Sequence, residues 1–594
     1  MSPASPATVM VALLTLTVLA GCLSDDTPEA FVDPLGGILP PSLRENLTEP
    51  LYALLGHFEA KWRGTTGTQL YVDYYRPNVP DDVKTPVILV FTPYQIPDPE
   101  EVAPGVTEPI VGESFWAYSS YLVDYFVPRG YTVAFADVRG NHQAGGCIDQ
   151  TGPEQWQDGY DYVEWLGTQD WSNGKVGMFG ASYDGETQFT TAMMAPPHLA
   201  TIVPVASVSN QYEWNFMNGV PYEGQPLSGM SLYFALSAVP STDPMDAPKW
   251  PEKASCQKEQ FENGLDFSGD MNTFWKERDY RPMADRINAS VLHIHGLQDW
   301  NVRPIHIAPL FNDIESTKRG LFGQWAHAYP DRGDWQEILH AWYDHFLMGR
   351  ENGILDILPP VLIEDDTQQW HGLEAFPPKE QPWLELELSA DMRLVPVGEA
   401  ENGSLAIHDY AQEVLVDIGS SSVNKQDGLA RQVPDKLVFS WQSAKDLHLV
   451  GIPEVLLTAQ TDAVSTHWAV RIEVVGDDCT YVYRASERTP SVCQNSGYFD
   501  TRHRDGLDAP RDLTPGEAYE LTIPMYPQYD VIPAGATVRL TLSNNDPHIS
   551  QDTTFADSRV LVGDGRSLLR LPLSPGSIEL PHDELPEIYP GYLR

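Results

Sequence analysis

Residues 174–185, GKVGMFGASYDG, constrain this chain more than any other stretch. Lys175 to Gly180 is a short, mostly apolar run that follows the turn residues Ser172-Asn173-Gly174, so it predicts a buried strand. Ser182 comes directly after this run, and Glu186 to Met194 predicts a helix. A sharp turn between a buried strand and a helix lifts a serine hydroxyl above the edge of a sheet. The stretch therefore predicts that Ser182 is a nucleophile.

The spacing of the glycines around Ser182 departs from the usual motif of such a turn. That motif is G-x-S-x-G, whereas here the second glycine, Gly185, comes one place later. Small residues at Gly180, Ala181 and Gly185 still allow the strand and the helix to cross closely. Taken alone, the stretch leaves open a plain strand-to-helix turn with a capping serine.

Two later residues supply the partners that a serine nucleophile needs. Val291 to His295 predicts a strand that is soon followed by Asp299, and Gly320 to Trp325 predicts another that is followed by His327. The chain order serine, acid, histidine is that of the α/β-hydrolases, and the ligand site of a parallel sheet lies beyond the carboxyl ends of its strands. The sequence therefore predicts His327 as the base and Asp299 as the carboxylate that orients it.

Strands and helices alternate on both sides of Ser182. Pro86 to Phe91 and Tyr131 to Ala136 are continuous apolar runs, which are typical of strands buried on both faces of a parallel sheet. Asp158 to Gln169 and Trp335 to Met348 have the pattern of amphipathic helices. The pattern predicts an α/β catalytic domain made of residues 51–206 and 285–352.

Two other regions differ from this domain in composition and hydrophobic pattern. Residues 207–284 are rich in Trp, Tyr, Met and Pro and lack a clear strand, so we expect an inserted helical cap. Residues 353–594 contain repeated period-two runs separated by Gly, Pro, Asp and Asn turns, and helix signals are nearly absent. These residues predict a separate β-sandwich or jelly roll.

Several of these motifs together resemble one family. They are Thr92-Pro93-Tyr94, Asp137-Val138-Arg139-Gly140, the stretch from Gly180 to Gly185, His295 to Val302, and Trp325-Ala326-His327. From about residue 60 to its end, the chain resembles the cocaine-esterase-like and X-prolyl-dipeptidyl-peptidase (S15-type) family of serine hydrolases, which also includes α-amino-acid ester hydrolases. The turn in that family reads G-x-S-Y-x-G, so the displaced glycine is a family feature.

The resemblance implies both an architecture and an oxyanion hole. The architecture is an α/β-hydrolase catalytic domain with a helical cap insertion, followed by an all-β jelly-roll (galactose-binding-like) domain. The oxyanion hole consists of the Tyr183 backbone N–H and the Tyr94 hydroxyl. Tyr183 follows the nucleophile and Tyr94 ends a predicted strand, so both positions suit this role. For Tyr94, simple aromatic packing at the strand end stays open.

The expected reaction is hydrolysis of an ester or amide through an acyl-enzyme. The expected activity is that of an X-Pro dipeptidyl-peptidase or an acyl esterase, with an α-amino-acid ester hydrolase or acylase as the alternative. Asp184 and Glu213 could anchor a substrate ammonium group, and Trp214 could line an apolar acyl pocket. The alternatives, solvated carboxylates and packing of the cap, stay open. His142 lies where the family commonly has Thr-Gly-x-Ser, and it is either a substrate contact or a loop histidine.

Two function classes compete with this interpretation. His293 and His295 alternate on one strand with Asp299 close by, as in a zinc site, but no further cluster offers the remaining ligands. A noncatalytic surface lipoprotein that binds glycans or a partner through its β-sandwich is the second class. The ordered serine, acid and histidine argue against it. We expect neither a metal nor a cofactor.

The charge balance narrows the range of partners. The chain has 83 acidic and 37 basic residues, which gives a formal net charge of −46. Such a field repels nucleic acids and anionic membranes, so nucleic acid is excluded as a partner. The acidity fits a halophilic, high-salt setting, and an ordinary acidic secreted protein is the alternative. The expected partner is a small-molecule or peptide substrate, and a homo-oligomer stays open.

The first residues have the pattern of a lipoprotein signal. Val9 to Ala20 is apolar and too short for an ordinary transmembrane span, and it ends in Leu19-Ala20-Gly21-Cys22. We therefore expect a signal peptide at residues 1–21, lipidation of Cys22 and a tether at residues 22–50. This pattern predicts an extracytoplasmic protein held at the outer face of the cell membrane by its N-terminal lipid alone.

Four cysteines remain after Cys22, and in an exported protein an even number suggests disulfides. Three connectivities are possible. Cys479 and Cys493 are 14 residues apart in one β-rich segment, which favours a Cys479–Cys493 bond. A Cys147–Cys256 bond then follows by elimination, and it would tie the loop after Gly140 to the cap.

Overall fold

The structure is a computed structural model, and it describes most of the chain. The described residues are 43, 46–95, 121–222, 268–308, 310–330, 332–367, 369–408, 436–475, 492–546, 549 and 556–575. The predicted signal peptide, Cys22, most of the tether, the middle of the cap, Cys256 and Cys479 lie outside these residues, so those predictions stay predictions. None of the helices in the described ranges is long and apolar enough to cross a membrane.

The N-terminal two thirds of the chain alternate strands and helices. The strands are β1 Leu54–Arg63, β2 Gln69–Pro77, β3 Thr85–Thr92, β4 Thr132–Asp137, β5 Ser172–Ala181, β6 Leu199–Val205, β7 Phe216–Met217, β8 Val220–Pro221, β9 Ser290–Gly296, β10 Lys318–Gly323, β11 Val361–Glu364 and β12 Trp370–Leu373. The helices are α1 Pro153–Gly167, α2 Tyr183–Met193, α3 Gln211–Asn215, α4 Thr273–Glu277, α5 Leu310–Asp313, α6 Trp335–Phe346 and α7 Ile354–Ile357.

Ten of these strands form one sheet in the order β1-β2-β4-β3-β5-β6-β9-β10-β11-β12. The pairs from β4/β3 to β10/β11 are parallel, whereas β1/β2, β2/β4 and β11/β12 are antiparallel. The parallel centre of the sheet is covered by helices on both faces. This is the α/β-hydrolase architecture, and it agrees with the alternation of strands and helices in the sequence. The carboxyl ends of β3, β5, β9 and β10 meet at one edge, where ligands bind in such sheets.

The centre of the sheet is buried on both faces, as the continuous apolar runs predict. All eight residues of β3 are buried. Val87, Leu89 and Phe91 join the core beneath α1 and α2, whereas Ile88 and Val90 join the core beneath α6 on the opposite face. Full burial of one such side chain stabilises the fold by roughly 1.5–3 kcal/mol. This double burial holds the strand ends, and the residues that follow them, in fixed places.

The described flanks of the predicted cap contain short elements. They are α3, the two-stranded ribbon of β7 and β8, α4, and a 3-10 helix at Arg281–Arg286. Both flanks pack on each other through aromatic residues, with Tyr212 and Phe216 on one side and Phe274 and Trp275 on the other. The helical character of residues 223–267 lies outside the described residues.

The C-terminal part is a β-sandwich, as predicted. Its strands are β13 Trp383–Leu388, β14 Leu394–Pro396, β15 Gly403–His408, β16 Lys436–Gln442, β17 Leu447–Gly451, β18 Glu454–Thr461, β19 His467–Val475, β20 Val492–Asp500, β21 Ala518–Pro524, β22 Gln528–Ile532, β23 Thr537–Ser543, β24 Asp557–Val562 and β25 Leu568–Pro572. A seven-stranded and a four-stranded sheet share one apolar core, to which Leu457 and Leu540 belong.

Two strands that follow residue 352 complete the catalytic sheet. β11 pairs in parallel with β10, and β12 closes the same sheet as its antiparallel edge. Val361 and Ile363 of β11 pack with Phe322 of β10 in one core. The sequence interpretation assigned all residues from 353 onward to the β-domain, because an all-β pattern does not say which sheet a given strand joins.

Candidate active site

Ser182 lies at a strained turn between β5 and α2. Its backbone has φ 62° and ψ −123°, a combination that residues other than glycine rarely adopt. The Ser182 N–H donates a hydrogen bond of 2.9 Å to the Val205 carbonyl at the end of β6, which fixes the turn to the neighbouring strand. The side chain is half-buried. Strain of this kind is typical of a nucleophile that the surrounding fold holds in place.

The two glycines of the motif make this turn possible. A Cβ on Gly180, whose φ is +149°, would overlap the Cβ of Asp184. A Cβ on Gly185 would lie 2.8 Å from the Val205 carbonyl oxygen and 2.9 Å from Ser207 Cβ. Gly185, the displaced glycine, is therefore required because any larger residue would overlap the end of β6 where α2 crosses it.

We expect Gly180→Ala to damage both stability and site geometry, because the new methyl group overlaps α2 and the positive φ strains any residue other than glycine. Overpacking and backbone strain should lower the melting temperature by roughly 5–10 °C. Gly349→Ala is the matched control, since Gly349 has φ +72° but nothing lies within 4 Å of its ideal Cβ position. Calorimetry of both variants is the measurement. If Gly180→Ala and Gly349→Ala lowered the melting temperature equally, the overlap at Gly180 would not destabilise the fold.

Asp299 and His327 are hydrogen-bonded to each other at the same sheet edge. His327 Nδ1 lies 2.7 Å from Asp299 Oδ2. The other carboxylate oxygen accepts hydrogen bonds from the backbone N–H groups of Asn301 at 2.9 Å and Val302 at 2.8 Å. The loop after β9 therefore fixes the orientation of the carboxylate. Asp299 is only 1% exposed. Its hydrogen bond to Nδ1 leaves Nε2 of His327 as the nitrogen that can accept a proton.

The environment raises the pKa of the His327 imidazole. Burial lowers this pKa, but the negative charge of Asp299 and its hydrogen bond to the ring outweigh burial, so the pKa lies above its ordinary value. An imidazole of this kind accepts a proton more readily than an isolated buried histidine would.

The structure brings the loop of His327 over the strand that carries Ser182. Tyr329, two residues after His327, stacks on Phe179 of β5 with ring centroids 6.0 Å apart. Within the described part of the chain, His327 is hydrogen-bonded to Asp299 and not to the Ser182 hydroxyl. Catalytic hydrogen bonds are often long in enzymes without substrate and tighten when substrate binds.

The two expected oxyanion donors lie beside the turn. Tyr94 follows β3, and its backbone N–H donates to Thr92 Oγ1 at 3.0 Å. Its ring meets that of Tyr183 edge to face, with centroids 6.5 Å apart. The Tyr183 phenol turns inward and donates to Gln155 Oε1 at 2.8 Å. Tyr183 is also the first residue of α2, and backbone N–H groups at such a position can bind an anion.

Three candidate substrate contacts have other partners in the structure. Asp184 is 4% exposed, and burial raises its pKa well above the ordinary range, which favours the neutral carboxyl over the charged form that would anchor an ammonium group. Glu213 forms an ion pair with Arg281. Trp214 is 8% exposed and donates to the Asn301 carbonyl at 3.1 Å, so it packs the cap entrance onto the loop of Asp299.

The histidines that suggested other roles are structural in this fold. His142 bonds Asp137 with 2.9 Å between Nδ1 and Oδ2, in the interior of the loop after β4. His293 packs edge to face against Phe189 and Phe322, an apolar setting in which metal ligands do not converge. Among the described residues, His57, Glu59 and Asp73 form a group that could hold a metal ion, but it lies on β1 and β2 at the sheet edge rather than beside Ser182.

Two supporting residues were missed by the sequence interpretation. His295 Nε2 lies 2.8 Å from the Val302 carbonyl oxygen and so fastens the loop that holds Asp299. Thr92 Oγ1 accepts the backbone N–H of Tyr94 at 3.0 Å and so holds the start of the loop after β3. Both lie inside the family motifs, but a motif does not say which side chains face the loop. Cys147 is disulfide-bonded, and its predicted partner, Cys256, lies outside the described residues.

Comparison with known proteins matches both halves of the chain. Residues 66–329 match the X-Pro dipeptidyl-peptidase (S15 family) model, and residues 352–559 match the X-Pro dipeptidyl-peptidase C-terminal non-catalytic domain. A putative Xaa-Pro dipeptidyl-peptidase of Streptomyces avermitilis is 25% identical over 511 residues, which cover 76% of this chain and 72% of that protein. A protein of the same description from Bacillus anthracis is 25% identical over 504 residues, covering 80% of each chain.

Solved structures share the fold over most of the chain. A CocE/NonD family hydrolase from Staphylococcus aureus superposes with a TM-score of 0.69 at 18% identity, covering 87% of this chain and 93% of that one. An α-amino acid ester hydrolase superposes with a TM-score of 0.61 at 18% identity, covering 92% of this chain and 100% of that one. The fold, the two matched domains and the arrangement around Ser182 agree with one another. The chain belongs to the X-Pro dipeptidyl-peptidase (S15) family of α/β-hydrolase serine hydrolases.

Proposed function

We propose that this chain hydrolyses peptides after an N-terminal Xaa-Pro pair through an acyl-enzyme on Ser182. The observation that carries the proposal is the 2.7 Å hydrogen bond between His327 and buried Asp299, at the sheet edge where Ser182 follows β5. The substrate class comes from the relatives, which are described as Xaa-Pro dipeptidyl-peptidases.

The proposed reaction has two steps. In the first, the Ser182 hydroxyl attacks the carbonyl carbon, His327 takes its proton, and the Tyr94 hydroxyl and the Tyr183 N–H stabilise the oxyanion. The C–N bond breaks as His327 returns the proton to the leaving amine. In the second step, His327 takes a proton from the water that attacks the acyl carbon, and the C–O bond to Ser182 breaks as His327 returns this proton to the serine oxygen. Asp299 stabilises the imidazolium that forms in both steps.

A simple acyl esterase is the second candidate, and a specific observation favours it. A dipeptidyl-peptidase needs a negative group for the free amine of its substrate, yet Asp184 is buried with a raised pKa and Glu213 is paired with Arg281. An ester without an amine requires no such group. The same nucleophile would serve both reactions.

Substrates that differ only in the free amine separate the two candidates. We expect kcat/KM for a Gly-Pro anilide to exceed that for its N-acetylated form by roughly 10–100-fold, because a charge-assisted hydrogen bond to the amine is lost. A p-nitrophenyl butyrate assay on the same preparation measures the esterase. Turnover of the butyrate with no cleavage of either anilide would contradict the peptidase proposal and support the acyl esterase.

A further inference from the structure

Arg303 is a buried cation without a carboxylate partner. It lies four residues after Asp299 and is 8% exposed, and its Nε and Nη1 atoms have no hydrogen-bond acceptor. Its guanidinium group lies over the Tyr222 ring, 3.4 Å from the ring centre. Within the described residues, no aspartate or glutamate forms an ion pair with it. Buried charges are normally paired, so this position lacks a counter-charge.

The absence of a pair is notable in this chain. It has 83 acidic residues, and several other buried or half-buried arginines find carboxylates, as Arg139 does with Asp158 at 2.7 Å and Arg281 with Asp279 at 2.8 Å. Arg319 instead donates to backbone carbonyls. Stacking on an aromatic ring offsets part of the cost of burial but does not satisfy N–H groups. The missing partner of Arg303 is therefore an acceptor that carries negative charge.

Arg303 lines a cleft that could admit such a partner. The cleft is small, with a volume of about 30 Å³, and it lies partly open to solvent between the loop of Asp299 and the β-domain. Asp299, Trp300 and Gln324 lie on the catalytic side, and Asn495, Gln528 and Asp530 lie on the other.

The cleft is lined by polar donors as well as by two carboxyl groups. Gln528 accepts the Asn495 amide through its own oxygen, which leaves its NH₂ group for other acceptors. Burial and the neighbouring carboxylates Asp366 and Asp365 raise the pKa of Asp530 well above its ordinary range, which favours its neutral form. Asp299 also lines the cleft, and its two oxygens accept the hydrogen bonds described above, so the unsatisfied N–H groups of Arg303 are left for an entering anion.

We propose that Arg303 binds a small anion, a halide or a carboxylate, in the cleft between the Asp299 loop and the β-domain. The bound anion supplies the missing counter-charge and accepts the unsatisfied N–H groups of Arg303. Because Arg303 and Asp299 belong to one loop, anion binding stabilises the loop that orients His327 and links it to the β-domain. The anion is either free halide from solution or the carboxylate of a substrate.

Chloride binding is measured without turnover, so its result does not depend on the proposed reaction. We expect the NMR line of chloride to broaden with the full-length protein at constant ionic strength, with methanesulfonate as the replacing anion. Sodium chloride should also raise the melting temperature by about 3 °C relative to sodium methanesulfonate. Both effects should be lost in Arg303→Gln and partly retained in Arg303→Lys, which keeps the charge.

The control and a substrate arm distinguish the sources of the anion. Arg570→Gln removes a β-domain arginine that pairs with Glu385 and Glu454, and it should leave the broadening unchanged. If substrate is the source, peptides with a free C-terminal carboxylate should be cleaved about tenfold better than amidated ones, and only in the wild type. If halide is the source, chloride should raise the activity on both. Unchanged broadening in Arg303→Gln, together with equal use of both peptides, would overturn the proposal.

Discussion

Ser182→Ala is expected to lower kcat by on the order of 10⁴–10⁶, with little change in folding. The hydroxyl is the group that forms the acyl-enzyme, and it is not needed to hold the turn, which is fixed by the Ser182 N–H and the Val205 carbonyl rather than by the side chain. Alanine tolerates the half-buried position without adding volume. The measurement is kcat on the best substrate of the panel, with calorimetry to show that the fold is kept.

Ser316→Ala provides the matched control for this prediction. Ser316 is also a half-buried serine of the catalytic domain, and its hydroxyl donates to the Ala289 carbonyl at 2.8 Å, far along the chain from the turn. It should keep wild-type kcat. A Ser182→Ala enzyme that retains a tenth or more of wild-type kcat would exclude Ser182 as the nucleophile.

Asp299→Asn is expected to lower kcat by on the order of 10³–10⁴ while leaving KM within a few-fold. The amide cannot stabilise the imidazolium of His327, and it can present an N–H where the carboxylate accepts one. The backbone N–H groups of Asn301 and Val302 still find the remaining oxygen, so the loop should keep its shape. Steady-state kinetics measures the loss.

The pH profile identifies the cause of that loss. His327 acts as a base only when neutral, and its pKa in the folded protein lies above 6.5 because Asp299 outweighs burial. Wild-type kcat/KM should therefore fall as pH drops through this raised pKa. Without the charge of Asp299, burial alone remains, so the acidic limb of Asp299→Asn should move to lower pH.

Asp365→Asn is the control, because it removes an Asp–His hydrogen bond that lies away from Ser182. Asp365 Oδ2 lies 2.7 Å from His371 Nε2, the same length as in the Asp299–His327 pair, but beside β11 and β12 rather than at the nucleophile. This variant should keep the wild-type pH profile. An unchanged acidic limb in Asp299→Asn would contradict the assignment of His327 as the base that Asp299 orients.

The parts of the site predicted from sequence are those tied to strand ends. Ser182, Asp299 and His327 each follow a run of apolar residues long enough to be a buried strand, and parallel strands bring such positions to one edge. The elements lie close to their predicted places, with α2 beginning at Tyr183 instead of Glu186. Strong periodicity and a fixed chain order place these three residues after strands, and their catalytic roles stay predictions.

The roles of charged side chains could not be predicted in the same way. Asp184 and Glu213 were candidates for an ammonium group because they are acidic and close to Ser182 in sequence. Whether a carboxylate is charged depends on its burial and partners, and here Gly180 and Thr92 enclose Asp184 while Arg281 pairs with Glu213. These contacts join residues far apart in the chain, and sequence pattern does not report them.

Strand pairing shows the same limit at a larger scale. β11 and β12 lie in the region after residue 353 that was predicted as all-β, yet they complete the catalytic sheet, because β11 pairs with β10 and β12 with β11. Arg303 is a further case, because its lack of a counter-charge appears only when the β-domain is placed against the Asp299 loop. Tertiary placement, rather than local propensity, decides each of these features.

The central claim is that Ser182 is the activated nucleophile of this fold, and covalent labelling tests it most directly. The full-length protein is treated with a fluorophosphonate, digested and mapped by mass spectrometry, beside Ser182→Ala and Ser316→Ala. We expect one adduct, on Ser182, that forms in the wild type and in Ser316→Ala, accompanies the loss of activity, and is absent from Ser182→Ala. An adduct on another residue, or full activity with Ser182 modified, would contradict the claim.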